Sequence, residues 1–147
     1  ANTHLDFDIE LAKEHSEKNP VYYLQYAYAR ISGILRNADE NIPEYKSANI
    51  EKINPDLIKT EEEIRLLKVL SGFGEEVLSA AASFEPHKII NYLNSVAEIF
   101  HRFYHNNKVV DPENRELSIS RLQICLATKQ VLKNGFDIIG ISSPEKM

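Results

Sequence analysis

Apolar positions along the chain recur with the period of an α-helix. Side chains three and four residues apart share one face of a helix, whereas those of a strand alternate every second residue. Five stretches follow the helical spacing: residues 7–16, 19–36, 60–82, 87–106 and 115–134. No stretch alternates convincingly with period two, and glycine-based hairpin turns are missing. The pattern predicts an all-α fold, a helical bundle of about five main helices.

Residues that begin and end helices support these boundaries. Asn19, which precedes a proline, is typical of a helix start. Thr60 and Glu63 have the spacing of a capping box. Gly72, with a second glycine two residues on, is expected to break or bend the third helix. Gly135 is expected to follow the last residue of the fifth helix.

Charge is distributed unevenly along the chain. The net charge of −5 taken alone argues weakly against a nucleic-acid partner. Residues 38–63 carry a charge of −5 by themselves, and we interpret them as a long acidic surface loop. Residues 21–36 and 86–147 are each +2. The total charge therefore describes one segment and does not exclude a nucleic-acid site elsewhere.

Length and cysteine content narrow the class of protein. A chain of 147 residues suits one domain. Its apolar runs are shorter than the roughly 18 residues that span a bilayer, so a membrane protein is excluded. The single cysteine, Cys125, suits a reducing compartment such as the cytoplasm and is expected to be an inert core thiol. Because the chain opens with Ala1 and not methionine, we expect it to be a piece of a longer protein.

The second predicted helix has an ordinary core stripe and an unusual opposite face. The core stripe consists of Leu24, Ala27, Tyr28, Ile31, Ile34 and Leu35. The opposite face carries Tyr22, Tyr26, Arg30 and Arg36. Spacing alone leaves two interpretations open. The face packs on a neighbouring helix or domain, which is a common role of tyrosine, or its rings and guanidinium groups bind bases and phosphates of RNA.

A second cluster of polar and aromatic residues ends the fourth predicted helix, at residues 101–108. Tyr104 lies on the edge of that helix's core arc, so a helix continuing through it would bury the ring. His101 and His105 are four residues apart, with Glu98 one turn earlier, which is a metal-ligand spacing. No further ligand completes a set, so histidines near a positive patch are favoured over a metal site.

Three motifs resemble one known family. Residues 19–30, NPVYYLQYAYAR, closely resemble the helix that opens the C-terminal anticodon-binding domain of arginyl-tRNA synthetases, the DALR domain. Residues 5–13 are similar to the linker that precedes this helix. Residues 121–147, RLQICLATKQVLKNGFDIIGISSPEKM, resemble the end of the domain. The resemblance implies a linker and short entry helix at residues 1–18 and a helical anticodon-binding domain at residues 19–147.

The same resemblance implies a function and a set of site residues. It implies a class I ligase that charges arginine tRNA using ATP, in which this segment contacts the anticodon loop. Tyr26, Arg30, Tyr104 and Met147 match the family's anticodon-contacting positions, and the helical wheel adds Tyr22 and Arg36. We expect no catalytic residue, metal or cofactor in this segment. ATP with magnesium, and arginine, belong to the full-length enzyme.

The resemblance also sets the expected partners and the alternatives. Expected partners are arginine tRNA and the catalytic domain of the same chain, with no membrane and a monomeric cytoplasmic protein. The class I catalytic signatures are absent, so this segment alone should not aminoacylate. Every arginine codon has G in the middle, so a binding surface must recognise the central C of the anticodon. Two alternatives remain: the same domain of another synthetase such as the cysteinyl enzyme, and a helical protein-interaction module without an RNA role.

Overall fold

Six helices form the part of the chain that the computed structural model describes, residues 8–14, 16, 18–48 and 54–147. They are α1 (Ile9–Lys13), α2 (Pro20–Asn41), α3 (Glu61–Ser71), α4 (Phe73–Ser83), α5 (His87–Asn106) and α6 (Arg115–Ile139). Short 3₁₀ turns cover Pro43–Ser47, Pro55–Leu57 and Pro112–Asn114. Within those ranges there is no strand, and no helix has the length and apolar character that crossing a membrane requires. The all-α prediction is confirmed.

The helix starts follow from the predicted capping residues. The Asn19 side chain accepts hydrogen bonds from the Val21 and Tyr22 backbone N–H groups, at 3.0 and 3.4 Å. These bonds satisfy donors that the first turn of α2 leaves without helical partners. At the start of α3, Thr60 and Glu63 form the capping box in both directions. The predicted break falls at Gly72, between α3 and α4. The predicted start of the first helix at residue 7 lies outside the described residues.

The core lies where α2, α3, α5 and α6 meet, with α4 packed on α5. All six residues of the predicted α2 stripe are buried. Buried α5 side chains follow the helical period: Ile89, Leu93, Val96, Ala97, Phe100 and Phe103. On α6, Cys125 is fully buried, and this burial raises the pKa of its thiol to about 12. The prediction of an inert core cysteine agrees with this placement, because the thiolate is the reactive form.

The prediction of a long surface loop at residues 38–63 is wrong for residues 38–41, 43–47 and 61–63, which are helical, whereas residues 54–60 do lie at or near the surface outside any α-helix. Helix α2 extends five residues beyond its predicted end, and Ala38, Ile42 and Tyr45 are all buried. The Tyr45 hydroxyl donates a hydrogen bond to Asp39, at 2.8 Å. Ala38 and Ile42 continue the apolar period of α2, but the acidic residues between them conceal it. Residues 49–53 lie outside the described residues.

The predicted end of the last helix is also wrong. Helix α6 continues through Gly135 to Ile139, and its C-cap is Gly140, whose φ of 73° is left-handed. Glycine adopts this conformation without steric cost. Gly135 instead lies buried where α6 meets α5: a Cβ added there would be 2.5 Å from Leu93 Cδ2. The lack of a side chain at Gly135 therefore permits close packing between two helices.

Candidate nucleic-acid interface

A groove of about 1320 Å³ opens between α2, the end of α5 and the last residues of the chain. We call it the tyrosine–arginine groove. Its lining residues are Tyr23, Tyr26, Ala29, Arg30, Gly33, Ile34, Arg36, Asn37, His101, Arg102, Tyr104, His105, Asn106, Asn107, Lys108, Val109, Val110, Lys146 and Met147. The two polar clusters that the sequence places on separate helices therefore face a single cavity.

Arg30 lies between two tyrosine rings on the wall of this groove. Its guanidinium carbon is 4.9 Å from the centre of the Tyr104 ring and 5.7 Å from that of Tyr26. Its Nη1 also donates a hydrogen bond to the Tyr26 hydroxyl, at 2.8 Å. Cation–π contacts of this kind hold the guanidinium group in place while leaving it exposed to solvent. The arrangement presents flat π-surfaces and a fixed cation together.

Further rings extend the aromatic surface behind Arg30. The Tyr104 ring stacks on Phe100, with centroids 6.2 Å apart and an angle of 16° between the planes. His101 lies 5.9 Å from Tyr26 and 5.4 Å from Tyr23, measured between ring centres. Helix α5 does continue through Tyr104, which is half-buried and still lines the groove. Full burial of Tyr104, the expected result of a continuing helix, does not occur.

The charged side chains that line the groove are all cationic among the described residues. Five cationic side chains line it: Arg30, Arg36, Arg102, Lys108 and Lys146. No Asp or Glu of the described chain is among the lining residues. Arg102 and Lys108 each pair with a carboxylate just outside the lining, at 2.6 and 3.0 Å. A concave surface with one sign of charge concentrates ligands of the opposite sign, so the groove suits an anion.

The wall formed by the end of α5 rests on a buried ion pair. Arg121 Nε donates to Glu63 Oε1 at 2.7 Å, and the Glu63 side chain is fully buried. The same guanidinium donates to the Lys108 carbonyl oxygen and to the Asn107 side chain, at 2.9 and 3.0 Å. Burial acts to raise the pKa of Glu63. Hydrogen bonds from the Thr60 and Lys59 backbone and from Arg121 together outweigh that effect, so the pKa lies below its ordinary value. The Glu63 carboxylate therefore stays ionised and holds Arg121, which in turn fixes residues 107–108.

Five of the six predicted site residues lie together in the groove: Tyr26, Arg30, Arg36, Tyr104 and Met147. Tyr22, in the first turn of α2, is not among the lining residues. Within the described ranges, no three or more His, Cys, Asp or Glu side chains are grouped so as to hold a metal ion. His101 and His105 instead line the groove.

Tyr23 and Lys146 are among the lining residues that sequence reasoning missed. Tyr23 is three residues before Tyr26, so helical spacing places the two rings on neighbouring parts of one face. That spacing could have identified Tyr23, although its ring lies to one side of the arc opposite the core. Lys146 follows no helix, and its position depends on long-range contacts of the last residues, which a local pattern does not contain.

The fold and the groove define a class: an all-α bundle with a basic, aromatic-lined groove of the kind that suits unstacked nucleic acid. The model of the DALR anticodon binding domain matches residues 24–147. The chain belongs to this family.

Relatives of known name cover the whole chain. It is 47% identical over its full length to an arginine–tRNA ligase of Listeria welshimeri, and 44% identical over 99% of its length to that of Thermotoga maritima. It spans about a quarter, 26%, of each of these curated relatives. The solved structure of Thermus thermophilus arginyl-tRNA synthetase superposes on 97% of this chain with a TM-score of 0.71 and 30% identity, over 24% of that structure.

Proposed function

We propose that the tyrosine–arginine groove binds the anticodon loop of an arginine tRNA, and that this chain is the anticodon-binding part of an arginine–tRNA ligase. The observation that carries the proposal is Arg30 held between the rings of Tyr26 and Tyr104. RNA loops are recognised through bases that leave the stack and lie on aromatic or guanidinium surfaces. Family membership and the names of the relatives support the choice of an anticodon loop as the ligand.

Each set of groove residues has a proposed role in binding. The rings of Tyr26 and Tyr104 stack on splayed bases, and Arg30 and Arg36 contact phosphates or base edges. In this proposal, polar groups or backbone of the last residues read the edge of a base. Because every arginine anticodon has C at its centre, one base must be recognised strongly while its neighbours vary. The ligase activity with ATP, magnesium and arginine belongs, in this proposal, to the part of the longer chain outside residues 1–147.

The same proposal covers the rest of the longer protein, its oligomeric state and the compartment in which it acts. The remainder of that chain supplies the catalytic domain with which this bundle shares one tRNA. The complete ligase is expected to be a monomer that acts in the cytoplasm. The oligomeric state follows from light scattering of the full-length chain, and a dimer at micromolar concentration would contradict that expectation.

Tyr26→Ala and Arg30→Ala test the site directly. Loss of one stacked base weakens binding by about 1–3 kcal/mol, or about 5- to 150-fold in Kd. Arg30→Ala should also reduce the slope of log Kd against log salt concentration by about 1. The measurement is fluorescence anisotropy with a labelled anticodon stem-loop of arginine tRNA, with helical circular dichroism recorded for each variant.

Three controls make that result specific. Tyr26→Phe keeps the ring and should bind nearly as well as the unchanged chain. Lys68→Ala removes an exposed cation from α3, outside the groove lining, and should leave Kd unchanged. A stem-loop with its central C replaced by G, or the stem-loop of cysteine tRNA, should bind more weakly. Normal affinity in both Tyr26→Ala and Arg30→Ala would refute the assignment of the site.

A further inference from the structure

The last residues of the chain lie along α2 without helical or strand structure, and we call residues 142–147 the strap. Gly140 turns the chain out of α6, and the Ile141 N–H closes the turn on the Phe136 carbonyl oxygen, at 2.9 Å. Beyond this point the strap brings Lys146 and Met147 to the groove. A segment with no helix or sheet of its own keeps its position through contacts with neighbouring elements.

Gln25 and Arg36 of α2, about three helical turns apart, donate hydrogen bonds to the strap. Gln25 Nε2 donates to the Ser142 carbonyl and hydroxyl oxygens, at 3.1 and 2.9 Å. Arg36 Nη1 donates to the Glu145 carbonyl oxygen, at 3.1 Å. Gln25 and Arg36 are roughly 16 Å apart along the helix axis, given a rise of about 1.5 Å per residue. The strap is therefore attached at two separate points.

A third contact comes from α6, outside the groove. Lys129 Nζ is 2.8 Å from Glu145 Oε1, and the same ammonium lies 5.0 Å from the centre of the buried Tyr28 ring. The Lys129 side chain is only 20% exposed and does not line the groove. Its hydrogen bond lowers the pKa of Glu145, which burial alone would raise and the charge of Arg36 also lowers. The ion pair thus joins α6 to the residue two positions before Met147.

We propose that the Lys129–Glu145 ion pair is a positioning device that holds Met147 and Lys146 in place as one wall of the groove. The inference rests on the proposed function in one respect, that the groove binds an anticodon loop. It assigns no ligand contact to either member of the pair. Arg36 acquires a second role, because part of its guanidinium group fastens the strap while the rest faces the groove.

The sign of one mutational effect separates positioning from simple electrostatics. Glu145 is an anion beside a groove for an anionic ligand, so a purely coulombic view predicts that Glu145→Gln tightens RNA binding. If the carboxylate acts by holding the strap, the same change weakens binding. Because Glu145 is 60% exposed, the expected loss is modest, about two- to fivefold in Kd. Lys129→Gln should produce the same loss, and the double variant should bind no worse than either single variant.

Measuring Kd at several salt concentrations tests whether Lys129 contacts a phosphate directly. A lysine that neutralises a phosphate contributes close to one unit to the slope of log Kd against log salt concentration. The Lys129→Gln variant should therefore keep the slope of the unchanged chain while its Kd rises. Lys133→Gln and Asp137→Asn are the matched controls, since these two residues form an ion pair with each other on the same helix. Neither control should alter Kd.

The single methionine of the chain provides a readout that needs no RNA. A ¹³C-methyl methionine label reports on Met147 alone, and its NMR signal should sharpen and move towards the random-coil position in Lys129→Gln and Glu145→Gln but not in the two controls. An unchanged methyl signal in both strap variants, or tighter RNA binding by Glu145→Gln, would overturn the inference. If the methyl signal changes but no variant, nor the unchanged chain, binds the stem-loop, the strap assignment stands and the proposed function fails.

Discussion

At the scale of single residues, Glu63 shows how one carboxylate serves both the fold and the groove. Its Oε2 caps α3 by accepting from the Lys59 and Thr60 N–H groups, at 2.9 and 2.8 Å. Its Oε1 accepts from Arg121, which in turn fixes residues 107–108 of the groove wall. A buried charge is tolerated only when its lone pairs are satisfied in this way.

Replacing Glu63 should therefore be costly. Removing one partner of a buried pair typically destabilises a protein by about 3–5 kcal/mol, because the other charge is left uncompensated. Glu63→Gln should lower the free energy of unfolding by an amount near the lower end of that range, since the amide still accepts a hydrogen bond. The matched control is Glu98→Gln, which breaks a pair that is about 60% exposed and should cost less than about 1 kcal/mol. Urea denaturation followed by circular dichroism measures both, and equal losses would contradict the role of Glu63.

The lowered pKa of Glu63 also predicts the direction of acid sensitivity. A carboxyl group whose pKa is lower in the folded than in the unfolded state stabilises the fold above its ordinary pKa, which is 4.5 for glutamate. That stabilisation is lost as the pH falls through the folded-state pKa. The unchanged chain should therefore lose more unfolding free energy between pH 6 and pH 3 than Glu63→Gln does. Parallel losses in urea titrations across this pH range would contradict the prediction.

At the scale of elements, the packing of α6 on α5 depends on the absence of a side chain at Gly135. A Cβ at this position would lie 2.5 and 2.8 Å from the two Cδ atoms of Leu93, which is itself fully buried. The cost of a glycine inside a helix, about 1 kcal/mol relative to alanine, is thus offset by close contact between the helices. This contact lies in the core shared with α2, so it also supports the helices that line the groove.

Gly135→Ala and Gly74→Ala should have opposite effects on stability. Overpacking a core costs about 1–3 kcal/mol, which exceeds the gain in helix propensity, so Gly135→Ala should destabilise the fold by about 1 kcal/mol or more. Gly74 lies in α4 with nothing within 4 Å of an added Cβ, so Gly74→Ala should stabilise the fold by up to about 1 kcal/mol. Thermal unfolding of the two variants measures the difference. A Gly135→Ala variant as stable as Gly74→Ala would show that α5 and α6 separate without cost.

At the scale of the whole molecule, an acidic chain presents a basic groove. The net charge is −5, yet the side chains that line the groove include five cations and, within the described ranges, no carboxylate. At physiological ionic strength the screening length is about 8 Å. Charges elsewhere on the bundle therefore contribute little to the potential inside the groove.

Local and total charge can be separated by experiment. The double change Glu75→Gln and Glu76→Gln on α4 raises the net charge by two, away from the groove lining, and should leave the stem-loop Kd unchanged at about 0.15 M salt. Arg30→Gln lowers the net charge by only one and should weaken binding at least fivefold. Anisotropy titrations of the two variants show whether the stem-loop Kd depends on the charge of the groove or on the net charge of the chain. A change in Kd that follows net charge in both would contradict a local site.

The sequence by itself determined which stretches are helical, the caps at which α2 and α3 begin, the break at Gly72 and the two polar clusters. Asn19, Thr60 and Gly72 act through bonds and conformations within a few residues, so their effects can be read without the fold. The core stripes of α2 and α5 follow from helical periodicity, which is equally local. Periodicity also placed Tyr26 and Arg30 on one face.

Only the tertiary structure decided which of these local features meet. It buried Ile42 and Tyr45 within an acidic stretch, and it placed Gly135 against Leu93 inside α6 instead of after it. It also brought Arg30 to Tyr104, more than 70 positions away, and Glu145 to Lys129 and Arg36. Such contacts depend on how helices pack and how the chain returns along them, because no local bond or period specifies a partner so distant in sequence.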